Sequence, residues 1–239
     1  MLETETARLL RRGQAKFDFS YEFQRSGEGT ETATPIGIEY GVTNRLELLV
    51  EPVPYTAIRP KVGRHATGAG DMEATLTWLE HAERGNLPAL AFAGEAKIPT
   101  ARNELIGTGK ADYAFYTIAS RRRGSVQMHA NVSYTFVGSP AATSLRNIWG
   151  GALAAEYFRT PAHEFFAEVL ATTASAPEGE GGDSPTGGTV LIPEAAGGEA
   201  AGSVGTAYRF GPRVRASLGV TYDNTRAWQL RTSVTVWAR

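Results

Sequence analysis

Four groups of residues in this 239-residue chain have types and spacings that could do chemistry. His129 and Ser133 pair a general base with a nucleophile type, four positions apart. On one face of a strand that spacing puts them ~13 Å apart, beyond hydrogen-bond reach. A hydrolytic site would need a partner from another strand, so a histidine satisfied in the interior is the plainer reading. Gly107-Thr108-Gly109-Lys110 has the look of a phosphate loop. Position 104 is Glu where that motif needs glycine, and no helix follows, so a phosphate cradle lacks its frame. Glu178, Glu180 and Asp183 stand on a glycine-rich stretch able to bind calcium weakly. They lack the ligand order of a calcium hand, and a solvated loop explains them more simply. With no cysteine there is neither a disulfide framework nor a thiolate metal site. Neither a metal nor a cofactor is expected.

The fourth group is the largest: charged residues that alternate with apolar ones. In Lys16–Gln24, Phe17, Phe19, Tyr21 and Phe23 share one face, and Lys16, Asp18, Ser20, Glu22 and Gln24 share the other. The same parity puts Glu39, then Arg45, Glu47 and Glu51, on the charged face of the next two segments, and Asp71 and Glu73 on that of the fourth. Glu95 and Lys97, His129, Glu156, Glu168, Arg215 and Arg231 continue it. Burying so many charges in a dry core would be very costly, and a water-filled or hydrogen-bonded interior removes most of that cost. The apolar face then points outward to lipid, as in a membrane barrel. Ten carboxylates face five bases in this set, which predicts mild preference for cations or neutral solutes.

The elements that must carry these residues are strand-like segments at 14–25, 32–41, 45–55, 69–80, 87–99, 110–121, 125–137, 147–159, 163–174, 198–211, 213–223 and 227–238. They predict an all-β fold: an antiparallel transmembrane up-and-down β-barrel of about twelve strands, formed by residues 14–239 as one domain. Residues 1–13 are expected as a flexible N-terminal lead-in. Short links at 41–44, 121–124, 159–163 and 211–213 oppose longer ones at 56–68, 100–109, 138–146 and above all the external loop 175–197. An even strand number puts both termini on the short-turn side. Tyr40, Trp78, Tyr157 and Tyr208 fall near short turns, and Phe23, Tyr55, Tyr134, Phe136, Tyr222 and Trp228 near the opposite ends. These are the expected membrane-interface aromatics. Two places resist the pattern. Pro52 and Pro54 imply a third strand that ends or bulges near Glu51, and in 110–121 the apolar residues fall on both faces.

The totals agree. A formal charge of −1 leaves no nucleic-acid footprint, no apolar run is long enough for a membrane helix, and Met1-Leu2-Glu3-Thr4-Glu5 has no signal-peptide core. The expected partners are the lipid bilayer and a small-molecule solute.

The chain resembles the MetA-pathway-of-phenol-degradation family of outer-membrane proteins over nearly its whole length. The likeness is carried by Leu2-Glu3-Thr4-Glu5 with Ala7-Arg8, by Ile38-Glu39-Tyr40-Gly41-Val42-Thr43-Asn44-Arg45-Leu46-Glu47-Leu48, by Thr67-Gly68-Ala69-Gly70-Asp71, and by Lys97-Ile98-Pro99-Thr100 with Gly107-Thr108-Gly109-Lys110. The resemblance implies a Gram-negative outer-membrane barrel with a role in the passage of small compounds, aromatic ones among them. Together with the charged lumen read from the strand faces, the expectation is a barrel, not an enzyme, that passes or binds small, aromatic or hydrophobic molecules. A non-conducting structural or adhesive barrel and an outer-membrane hydrolase are the alternatives. One departure is the end of the chain, Trp237-Ala238-Arg239, where such barrels commonly finish on an aromatic residue. Trimming, modification or a bulge in the last strand would account for it.

Overall fold

Alternation with no helical period leaves the backbone one way to satisfy its N–H and C=O groups, pairing between strands; a closed barrel does so with no free edge. The computed structural model describes residues 4–140, 144–175 and 198–238. Among them are fifteen strand segments: β1 (Ala15–Arg25), β2 (Gly29–Ala33), β3 (Ile36–Thr43), β4 (Leu46–Glu51), β5 (Thr56–Pro60), β6 (Ala66–Gly68), β7 (Met72–His81), β8 (Ala89–Ile98), β9 (Asp112–Arg123), β10 (Val126–Phe136), β11 (Ile148–Phe158), β12 (His163–Thr172), β13 (Ala200–Arg209), β14 (Val214–Asp223) and β15 (Trp228–Ala238). Every pairing is antiparallel. β2 with β3, β4 with β5, and β6 with β7 are halves of single wall strands, so twelve strands form the wall, and β15 pairs with β1 to close it.

The interruptions lie side by side. Thr34 N–H donates to Tyr55 O, and Gly70 N–H to Val53 O, so three neighbouring strands break along one line. The third strand ends at Glu51, where the two prolines remove ladder donors, and resumes at Thr56. The connection expected over 56–68 is therefore partly strand. Thr56, Ala57 and Ile58 are buried, and Thr100 Oγ1 donates to Gly70 O (3.1 Å), tying the next long link to this extension.

Facing follows parity around the wall. Phe19, Phe115, Leu153 and Val204 are 50–63% exposed on the outside, whereas Ile118, Ser120 and His129 inside are at most 2% exposed. A continuous apolar exterior exceeds the few hundred Å² of apolar patch that a soluble monomer exposes. β9 resolves the ambiguous segment: Tyr113 and Phe115 face out, and Ala114, Ile118 and Ser120 are buried within. Ring contacts gather in two groups: Phe23–Trp228, Tyr134–Trp149 and Phe115–Phe136 toward one end, Trp78–Phe92 and Tyr208–Phe210 toward the other.

Short turns use left-handed backbone where only glycine is at ease, at Gly124 (φ 61°) and Gly211 (φ 79°). The last strand has no bulge. Its register with β1 is unbroken from Ala15↔Ala238 to Arg25↔Trp228. Trp237 therefore shares the inward parity of Thr235, with the Arg209 guanidinium 4.6 Å over its ring.

Phe166 points inward over Gly205, where an added Cβ would lie 2.2 Å from the ring. Gly205→Val is expected to destabilise the barrel by about 1–3 kcal/mol through overpacking. A lowered urea midpoint of heat-modifiable gel migration would show it; an unchanged midpoint would mean that the ring has room to move.

Candidate functional site: the barrel interior

The interior is built from cross-strand ladders of charge. Lys16 pairs with Glu39, and Lys97 with Asp112, each with its register partner. Arg231 Nε lies 2.7 Å from Oε1 of its register partner Glu22. Arg215 reaches across β13 to Glu164, its Nε donating at 2.9 Å over the small, buried Ala207. Asp18 accepts from Ser20 (2.9 Å) and Thr235 (2.5 Å), and Glu95 from Thr75 and Tyr116 (3.3 Å each). Such contacts hold charge in a confined space at modest cost, because each ion keeps hydrogen-bond partners.

Register concentrates acids in one row. Glu51 stands opposite Glu73, Glu73 opposite Lys97, and Lys97 opposite Asp112. Gly37 continues the row between Glu51 and Asp18. Four carboxylates and one ammonium thus line one register row of the wall, across six neighbouring strands.

Two residues from the sequence-derived set stand elsewhere. Arg45 lies in the β3–β4 turn, exposed, its guanidinium donating to Glu80 O (3.3 Å), because β4 begins only at Leu46. Asp71 sits in the break before β7 and accepts from Ala101 N–H (2.9 Å), holding the outer loop instead of the bore. Lys16, Asp18, Glu22, Glu39, Glu47, Glu51, Glu73, Glu95, Lys97, His129, Glu156, Glu168, Arg215 and Arg231 are all on inward-facing strand positions. Of the aromatics, Tyr40, Tyr55, Trp78, Phe136, Tyr157, Tyr208, Tyr222 and Trp228 are exposed, and Phe23 and Tyr134 are half-buried against neighbouring rings.

His129 is not near Ser133 in function. Its Nδ1 is 2.8 Å from Ser120 Oγ, and its Nε2 is 3.0 Å from Gln127 Nε2 and 3.5 Å from Glu156 Oε2. Gln127 also donates to Glu156 (3.0 Å). This is a serine–histidine–acid chain, but Ser120 is 1% exposed and its oxygen already accepts the Ala7 N–H (2.8 Å). No substrate carbonyl reaches it while that contact stands, so the chain serves to hold Ser120 in place.

The Ala7 contact reveals what alternation could not. Residues 4–13 are expected as a lead-in; instead residues 4–10 run into the barrel, and 11–13 lie exposed at its mouth. Leu10 N–H donates to Glu47 (2.5 Å), Ala7 N–H to Ser120, and Thr4 N–H and Oγ1 to Glu168 (3.1 and 2.9 Å). With its amide oriented to satisfy its neighbours, Asn131 accepts from Glu5 N–H (2.6 Å) and donates to Glu5 O (3.1 Å). The Ala7 methyl packs among Ala89, Ala91, Ala93 and Ile118. At the short-turn mouth Gly13 N–H donates to Gly41 O, and an added Cβ on Gly41 would lie 2.2 Å from Arg11 O. Arg8 pairs with Glu83 (2.7 Å) in the β7–β8 turn. Loop 175–197 is outside the described residues beyond Ser175, and with it the carboxylates weighed for calcium.

No family model and no curated protein matches this sequence. Solved structures do. The chain is similar over its full length to the full length of the COG4313 outer membrane channel from Pseudomonas putida F1, at 11% identity and a TM-score of 0.72. This chain has the fold of an outer-membrane β-barrel. The barrel is also similar to the NanC porin (10% identity, TM-score 0.63) and to the KdgM porin solved with disordered oligogalacturonate (9% identity, TM-score 0.59). Each of these two likenesses covers 92% of this barrel and 98% of the porin.

Proposed function

We propose that this barrel resides in a bacterial outer membrane and passes small solutes passively through a narrow, acid-lined bore. The observation that carries the reading is the row Asp18–Glu51–Glu73–Lys97–Asp112, a charged stretch of inner wall inside an apolar shell. Charged linings select by sign, and a preponderance of carboxylates favours cations. Eight-stranded barrels are filled by side chains, whereas 16–18 strands leave a wide aqueous channel. Twelve strands leave an intermediate section, and here the chain's own residues 4–10 occupy part of it. The solutes that fit are small and polar, neutral or cationic. Aromatic compounds, the class the family resemblance suggests, enter this reading when they carry a polar or cationic group.

Planar-bilayer recordings under a salt gradient test the proposal. The expected result is small discrete conductance steps with a reversal potential on the cation side, shifted toward zero by Glu51→Gln with Glu73→Gln. Clear anion selectivity would overturn the selectivity. Heat-modifiable, folded protein that conducts nothing even after residues 1–12 are removed would overturn passage and leave the structural reading.

A further inference from the structure

We propose that the bore is a binding site for a peptide segment with a small residue at one position, with residues 4–10 as its tethered occupant. The backbone contacts fall on Thr4, Glu5, Ala7 and Leu10, with Arg12 and Gly13 held at the mouth by Asn44 and Gly41. The segment belongs to no helix or strand, so its N–H groups have no ladder of their own and are free for a wall to capture. The wall captures main chain. Glu168, Ser120 and Glu47 each accept a backbone N–H, and Asn131 reads both the N–H and the C=O of Glu5. A peptide amide offers these same groups whatever its side chain. Two side chains are also engaged: the Ala7 methyl, in a pocket sized for a small residue, and the Thr4 hydroxyl, which donates to Glu168.

The acceptors are pre-positioned. They stand on β4, β9, β10 and β12, each fixed by its own ladder, and Ser120 is held by His129 behind it. Removal of the occupant should therefore leave the site formed, open to a peptide with a small residue at the Ala7 position. This inference concerns binding and does not depend on the conducting role proposed above.

The test uses barrel lacking residues 1–12, whose β15–β1 ladder begins at Ala15 and so remains whole. The probe is a fluorescent synthetic peptide of residues 4–12, followed by anisotropy in detergent. Saturable binding is expected. N-methylation at the Ala7 nitrogen should weaken it about tenfold, by removing one buried hydrogen bond. Tryptophan at the Ala7 position should abolish it, and a scrambled peptide of equal charge should bind far more weakly. Equal binding of the scrambled peptide would reduce the site to charge attraction, and absence of binding by every peptide would overturn it. If the shortened barrel fails to show heat-modifiable migration, full-length Ala7→Trp serves instead. It should accept the probe where the parent protein refuses it, and refusal by both would overturn the inference. Because the readout is binding, a barrel that takes peptide but never conducts would sink the channel reading alone.

Discussion

Removal of residues 1–12 is expected to raise single-channel conductance by about threefold or more, since the segment fills section that a twelve-stranded wall otherwise leaves to water. The barrel itself should survive. β1 begins at Ala15, and none of its ladders with β15, β2 or β3 uses the deleted residues. Gly41→Val provides a gentler version. Its side chain would occupy the place of the Arg11 carbonyl, 2.2 Å from the added Cβ, and the segment must yield because β3 is anchored on both sides. Conductance between the parent and truncated values, or flicker between the two, is the outcome expected. Unchanged conductance in both variants, with folding shown by heat-modifiable migration, would mean that ions do not pass along the segment's path.

Arg215→Ala should cost the most among the charge deletions, about 3 kcal/mol. It leaves Glu164, whose side chain is 12% exposed, without its guanidinium in a confined interior. The loss would appear as a lower urea midpoint of the heat-modifiable band. Adding Glu164→Gln should recover much of it, because the orphaned charge is then gone. A single variant as stable as the parent would show that bore water hydrates Glu164 well enough to replace the pair.

The strand pattern was legible in the chain because a membrane barrel writes its two solvents into alternate residues. Phe17, Phe19, Tyr21 and Phe23 against Lys16, Asp18 and Glu22 needed no tertiary information to sort. Pro52 and Pro54 also marked the end of β4 correctly, since proline withholds the ladder donor. Parity was not enough in β9, where a barrel wall that buries Ile118 and exposes Phe115 carries apolar residues on both faces. Nor could parity separate Arg45 and Asp71, at strand ends, from true wall positions. Asp112 and Glu164 were missed as ion-pair partners because their identity depends on which strand lies beside which.

By itself, then, the sequence determined the all-β class, the strand number, the sign of each face and the acidity of the interior, all of which are local properties of period two. Tertiary structure decided the rest. Register alone brings Glu51, Glu73, Lys97 and Asp112 into one row, although they lie on four strands. Closure alone creates an inside for residues 4–10, whose aperiodic sequence reads as solvated chain until Glu47, Ser120, Asn131 and Glu168 converge on its backbone. Backbone N–H groups are the same in every residue, so a segment recognised through them leaves little mark in its own sequence.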